Sequence, residues 1–344
     1  MTDRQSLAKS TVNHYSRDGF AGAGAHAARP NYVPMYSRIE GEYAPYRFDG
    51  LFTNPSKNES GTRRGLPVPI LTGDGVTISV MRALQPTEIT IKNVISDEVH
   101  YVVAGDGCIK TDFGYLNCKA GDFLLLPRAV GYRLTEVNTP LQILVVATPG
   151  ELAIDPFPPR GVLDIRRSVF LPEIQNQIPA PDEVFETVFR HNGGTTSHFY
   201  EFDPLDIEAV NGSPPVKKFG IYDLQTLGVS EGGITPPRLI NDSTGQTLFF
   251  HLGSRRSDRP PIHVNADYDE LIIYASGPGP YGSMDEPGTI SWVPKGIPHH
   301  GAEEDTVEPY QAWLIETRAS LELTDAGRSA AALMETGEYG IQRN

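Results

Sequence analysis

From about residue 66 onward, apolar and polar positions alternate in short runs of β-forming residues. Val76-Thr-Ile-Ser-Val, Glu88-Ile-Thr-Ile-Lys, Val99-His-Tyr-Val-Val, Cys108-Ile-Lys-Thr-Asp and Leu141-Gln-Ile-Leu-Val-Val are examples, separated by Gly105-Asp-Gly, Phe113-Gly and Ala120-Gly-Asp. A period of two between turn residues predicts strands, and many short strands at close spacing predict a sandwich or barrel. After a stretch rich in Pro and acids, a second series follows: Lys218-Phe-Gly-Ile-Tyr, Gln246-Thr-Leu-Phe-Phe-His-Leu, Glu270-Leu-Ile-Ile-Tyr, Thr289-Ile-Ser-Trp-Val and Tyr310-Gln-Ala-Trp-Leu-Ile-Glu. Residues 1–65 lack this rhythm. They carry Tyr15, Tyr32, Tyr36, Tyr43 and Tyr46 among scattered prolines and read as an extended arm that wraps its own domain or a partner. Strong helix formers occur late, from Asp325 to Glu335, with Gly337 as a stop. The expected division is an arm at 1–65, a first barrel at 66–160, a connection at 161–210, a second barrel at 211–320 and a helical tail at 321–344.

Composition agrees with an all-β chain. Among 344 residues, 34 Gly and 29 Pro exceed average usage without any collagen-like period. A formal net charge of -14 would repel a phosphate backbone or an anionic bilayer, so neither nucleic acid nor membrane is an expected partner. Cys108 and Cys118 flank a Gly-centred turn where a cross-strand bridge is sterically conceivable; reduced thiols in a cytosolic protein are the expected state. The first 30 residues contain no apolar core and no apolar run approaches a membrane span, so a cytoplasmic location is expected.

One pattern occurs twice. In the second half, Glu270 precedes Gly277 at a defined interval, His263 and Asn265 stand before it, and Gly288, Pro294, Gly296 and His299 follow. In the first half the same spacings hold Glu98 and Gly105, then Gly121, Pro127, Ala129 and Tyr132. Two multi-residue patterns in the same order point to a duplicated barrel. His263 and Asn265, two apart on a strand, share a face. With Glu270 and His299 they offer two imidazoles and a carboxylate, the donor set suited to non-haem Fe(II) with open positions, and one that zinc also accepts. Asp269 is the rival carboxylate, although on a strand it faces the other way. His300 is the rival of His299.

The repeat resembles the two signature motifs of the cupin superfamily, whose histidines and glutamate hold a metal inside a jelly-roll barrel. The resemblance implies an all-β bicupin with an N-terminal arm and a short C-terminal helix. Its second barrel would bind Fe(II) through His263, Glu270 and His299, with Asn265 as a weak fourth ligand or a nearby donor. The first-half positions that match the histidines are Ile91, Asn93 and Tyr132, so the first barrel is expected to hold no metal and to be filled by side chains.

More narrowly, His263-Val-Asn-Ala-Asp-Tyr-Asp-Glu270 and Pro287-Gly-Thr-Ile-Ser-Trp-Val-Pro-Lys-Gly-Ile-Pro-His299 look like the homogentisate 1,2-dioxygenase family, as do Ile109-Lys-Thr-Asp-Phe-Gly-Tyr and Thr317-Arg-Ala-Ser-Leu-Glu-Leu-Thr. That likeness implies ring cleavage of a small aromatic para-diol by O₂. The chain is shorter than those enzymes, and Val293 stands where they carry a substrate-contacting histidine. Both departures suit hydroquinone and the large subunit of a two-component hydroquinone 1,2-dioxygenase, an oligomer with a small second subunit. His300, His251 and Tyr268 are candidate bases, and Arg255-Arg256 a candidate anion-orienting pair. Homogentisate remains an alternative substrate, and a non-oxidative isomerase or decarboxylase, or a binding bicupin, an alternative class.

Overall fold

The computed structural model describes residues 12–16, 24–29, 34, 38–49, 65–155, 163–175, 183–192, 194–224, 236–253, 262–276, 286–300 and 310–334. They form an all-β architecture: an 11-stranded sheet built mainly from the first half, an 8-stranded sheet built mainly from the second, and a three-stranded sheet that joins Ile262–Asn265 to the arm. No described helix is long and apolar enough to cross a membrane.

Strands buried on both faces explain why parts of the pattern read as continuous apolar runs. In the strand Gly131–Thr148, Leu144 and Val146 pack into the core between the two sheets, while Ile143 and Val145 fill the interior of the first barrel. In Thr247–Gly253, Phe249 joins the shared core and Phe250 and Leu252 line the second barrel. The shared core centres on Trp313, whose ring meets Tyr101 and Phe123 edge-on at 5.2 Å each.

The duplication holds hydrogen bond for hydrogen bond. Buried Asp97 accepts from the amides of Arg128 (2.9 Å) and Leu152 (3.0 Å); buried Asp269 accepts from those of Lys295 (3.1 Å) and Leu321 (3.2 Å). The Ala129 amide donates to Asn93 O at 2.7 Å, and the Gly296 amide to Asn265 O at 2.8 Å. Both turn residues have positive φ, 65° at Ala129 and 82° at Gly296, a conformation that costs Ala more than Gly.

The halves also exchange strands. Leu152–Ile154 leaves the first half to pair with Arg238–Asp242, and Glu322–Leu323 leaves the second to pair with Val68–Gly73. Lys217–Gly220, expected in the second barrel, pairs with Asp122–Leu126 of the first. The stretch expected as a connection, in which Thr195-Thr-Ser-His-Phe-Tyr-Glu-Phe nevertheless reads as a β-run, contains a hairpin, Phe185–His191 and Gly194–Tyr200, that extends the first sheet alongside Ile89–Asn93. The arm supplies a hairpin, Val12–Ser16 and Gly24–Ala28, and the strand Tyr46–Phe48, all on the second half.

The C-terminal helix is shorter than expected. It spans Asp325–Ala330, with the Thr324 hydroxyl accepting from the Gly327 amide at 3.0 Å. Ala331–Leu333 then becomes a strand on Tyr46–Phe48, because edge pairing and burial of Met334 outweigh the helix propensity of an alanine run. Gly337 lies outside the described residues, as do Gly277 and Arg255-Arg256. Cys108 and Cys118 are free and buried, and burial pushes the Cys118 thiol up to about 12.

Candidate metal centre

Two strands and one bridged segment converge on the second-barrel site. The strand Ile262–Asn265 presents His263 and Asn265 on one face, and the strand Asp269–Ser276 presents Glu270. His299 arrives after the Gly296 turn and is bridged to His263 by two backbone hydrogen bonds, His263 N to His299 O at 2.8 Å and His299 N to His263 O at 3.0 Å. That bridge sets the two imidazoles 4.2 Å apart, centroid to centroid. Donor atoms of His263, Glu270 and His299 all lie within 4.8 Å of one another, and among the described residues no other group of three such side chains does so. Glu270 Oε2 stands 3.4 Å from His299 Nε2 and 3.8 Å from His263 Nε2.

The surroundings fit a cation. His299 Nδ1–H donates to Ile297 O at 2.9 Å, which fixes the ring so that buried Nε2 faces Glu270 Oε2 at 3.4 Å. Asn265 Nδ2 donates to Glu270 Oε2 at 3.2 Å, so here it acts as a donor that holds the carboxylate. Burial pushes the Glu270 carboxyl up, but the charges and hydrogen bonds of His299 and His263 hold it well below the usual range. Two imidazoles and one ionised carboxylate form a donor set for a divalent transition metal.

Asp269 takes no part. Its oxygens are tied to the Trp292 indole N–H (3.1 Å) and to the two amides already described, on the opposite face of the strand. Period-two alternation therefore separates Glu270 from its neighbour, as the sequence reading holds.

The candidate bases fare differently. His251 is not at the centre: it shares the face of Phe249, opposite Trp313, and its Nε2 meets Gln311 Oε1 at 2.5 Å. Phe250 and Leu252 take the barrel-facing positions instead, so the alternation that favours Glu270 removes His251. Tyr268 is buried with the Arg318 guanidinium 4.7 Å above its ring. His300 is buried but stands outside the three-donor group.

Other residues come to the site with no signal in the sequence. Glu316, fully buried, lies in register opposite Glu270 on the next strand, while Val293, which the sequence did single out, lies opposite on the other side. Phe250, Ile272, Leu314 and Val293 add apolar lining. His14, from the arm, pairs in register with His263.

At the equivalent place in the first half, Glu98 is encircled by protein. Asn93 Nδ2 donates to Oε1 at 2.8 Å, repeating the Asn265–Glu270 contact, and His100 Nε2 donates to Oε2 at 2.8 Å. Arg190, from the added hairpin, places a guanidinium nitrogen 2.5 Å from Oε1. Tyr132, at the position of His299, packs edge-on against His100 with centroids 4.9 Å apart. A guanidinium thus stands beside Glu98 where a metal would be expected beside Glu270.

No family model matches the chain. It is 24% identical to a candidate dioxygenase of Saccharolobus solfataricus over 68% of this chain, and it spans 63% of the length of that curated relative. Among solved structures it is similar to salicylate 1,2-dioxygenase from Pseudaminobacter salicylatoxidans, with a TM-score of 0.49, 10% identity and coverage of 84% of this chain and 90% of that one. It is also similar to Bacillus subtilis oxalate decarboxylase, with a TM-score of 0.42, 13% identity and coverage of 84% and 81%. A cupin 2 conserved barrel protein from Leptotrichia buccalis matches with a TM-score of 0.41 and 14% identity, over 73% of this chain and 88% of that one.

Proposed function

We propose that this chain is an Fe(II)-dependent ring-cleaving dioxygenase of para-diol aromatics, with hydroquinone as the preferred substrate. The observation that carries this reading is the group His263, Glu270 and His299, two imidazoles and one carboxylate beside the apolar side chains of Phe250, Ile272, Val293 and Leu314. Fe(II) in such a set would polarise a substrate hydroxyl and provide positions for O₂.

The chain's own residues do the rest. Ile297 O fixes the His299 tautomer, and Asn265 keeps Glu270 from turning away from the two imidazoles. Phe250, Ile272, Val293 and Leu314 enclose an aromatic ring and keep water from it. A neutral diol suits this interior better than an anionic one. Val293 offers no hydrogen bond, and Glu316 adds a second carboxyl beside Glu270, an unfavourable setting for the acetate of homogentisate.

The aromatic arm supports the further reading that the chain is the iron-bearing large subunit of a two-chain enzyme. The test is oxygen consumption after anaerobic loading with Fe(II), against hydroquinone, homogentisate and gentisate, with and without a co-expressed small partner. Hydroquinone-dependent uptake with a ring-opened product is expected. Turnover of homogentisate alone would overturn the substrate assignment. Metal-dependent turnover without O₂ uptake would move the chain to the non-oxidative class.

A further inference from the structure

The arm hairpin Val12–Ser16/Gly24–Ala28 is the counterpart of the hairpin Phe185–His191/Gly194–Tyr200. Each lays its first strand parallel to a ligand strand. Val188 and Arg190 pair with Ile91 and Asn93; His14 and Ser16 pair with His263 and Asn265. The repeat therefore equates Ile91 with His263, Val188 with His14, and Arg190 with Ser16.

In the first half this flanking strand reaches the site, since Arg190 touches Glu98 at 2.5 Å. In the second half the equivalent residue is buried Ser16, so the space beside Glu270 that an arginine would fill is left by a short side chain. His14 stands next to it on the same face. Its Nδ1 is buried and has no hydrogen-bond partner. Its ring lies against Gly24, where a Cβ would come within 3.3 Å of Cε1, and 4.7 Å from the ring of exposed His26.

His299, His263, His14 and His26 are thus register partners on four adjacent segments, running from the buried metal centre to solvent. Adjacent strands are about 4.8 Å apart.

We propose that the arm hairpin forms the substrate-facing wall of the metal centre. In this arrangement Ser16 leaves room for the ring, and His14 Nδ1 is the hydrogen-bonding partner of the oxygen distal to the metal. The inference rests on the diol reading of the preceding subsection for its ligand, but not for the placement of Ser16.

Two measurements test it. Anaerobic calorimetry on iron-loaded protein compares hydroquinone with phenol, which lacks the distal hydroxyl. The wild-type chain should prefer hydroquinone by roughly 10- to 100-fold, the scale of one buried hydrogen bond. His14→Phe and His14→Gln should retain iron, and in His14→Phe the preference should fall to near unity. An unchanged preference in His14→Phe overturns the assignment, and so does loss of iron in both variants, which would make His14 a support of the ligand strand. Ser16→Arg recreates the first-half arrangement and should abolish Co(II) or Fe(II) binding in a folded protein. Full metal and ligand binding by Ser16→Arg would overturn the wall itself. Wild-type protein that binds neither phenol nor hydroquinone, while Ser16→Arg still excludes metal, would reject the diol and the His14 contact and leave the wall standing.

Discussion

Arg190→Met isolates the cation that accompanies Glu98. Burial alone would raise the Glu98 carboxyl, but the His100 hydrogen bond, the Arg190 charge and the Asn93 hydrogen bond together bring it down from 4.5 to about 2. The side chain is 1% exposed, so solvent screening removes little of this. A drop of that size corresponds to roughly 3 kcal/mol of folded-state stabilisation at neutral pH. Because the folded value is depressed, the contribution is complete above the unfolded value and disappears as pH falls from about 4.5 toward 2.

Methionine keeps the apolar length of the side chain and removes the guanidinium charge, leaving a buried carboxylate with the Asn93 and His100 hydrogen bonds alone. The expected cost at pH 7 is about 3–5 kcal/mol. At roughly 2.1 cal/mol/K per residue, a chain of this length that unfolds as one unit through its shared core loses about 4–7 °C in Tm. Urea and thermal unfolding by circular dichroism between pH 4 and 8 would measure it. Mild acidification should then stabilise Arg190→Met relative to wild type, since Glu98 would take up a proton. Arg190→Met with Glu98→Gln should recover most of the loss. A single-variant cost below about 1 kcal/mol, or a double variant no better than the single, would refute the reasoning.

Removing His263, Glu270 or His299 as alanine should abolish bound iron, read by metal analysis, because the described centre holds three strong donors. If His300→Ala empties the site and His299→Ala does not, the ligand assignment fails. Asp269→Asn should retain metal and lower stability by about 1–3 kcal/mol in urea unfolding, since it disturbs three buried hydrogen bonds without touching the donors. Glu316→Gln should leave hydroquinone turnover close to wild type and raise that of homogentisate, a shift read as the ratio of kcat/KM values. Co-purification should show the chain held by a small partner that raises hydroquinone turnover; equal activity of the isolated chain would end the two-subunit reading.

The duplicated spacing around Glu98 and Glu270 is a local property, and local properties survive in a sequence. Period-two alternation alone distinguishes Glu270 from Asp269, and the Gly296 turn that delivers His299 is written in a few consecutive residues. The same alternation, applied to Gln246–Leu252, already separates His251 from Phe250; which of those two faces belongs to the barrel interior is decided only when Trp313 and Tyr101 pack between the sheets. Everything that depends on pairing between distant strands had to await the fold. Arg190 lies 92 residues from Glu98, and no spacing rule links them. His14 meets His263 through a parallel pairing that no turn between them dictates. The exchange of Leu152–Ile154 and Glu322–Leu323 between sheets, and the conversion of Ala331–Leu333 from expected helix to strand, follow from burial and edge hydrogen bonding across the whole molecule. The sequence by itself brought out the candidate donors His263, Glu270 and His299, because the face each presents is set within its own strand or turn. Only the tertiary structure decided what surrounds them, because a wall is built from whichever strands the global packing brings alongside.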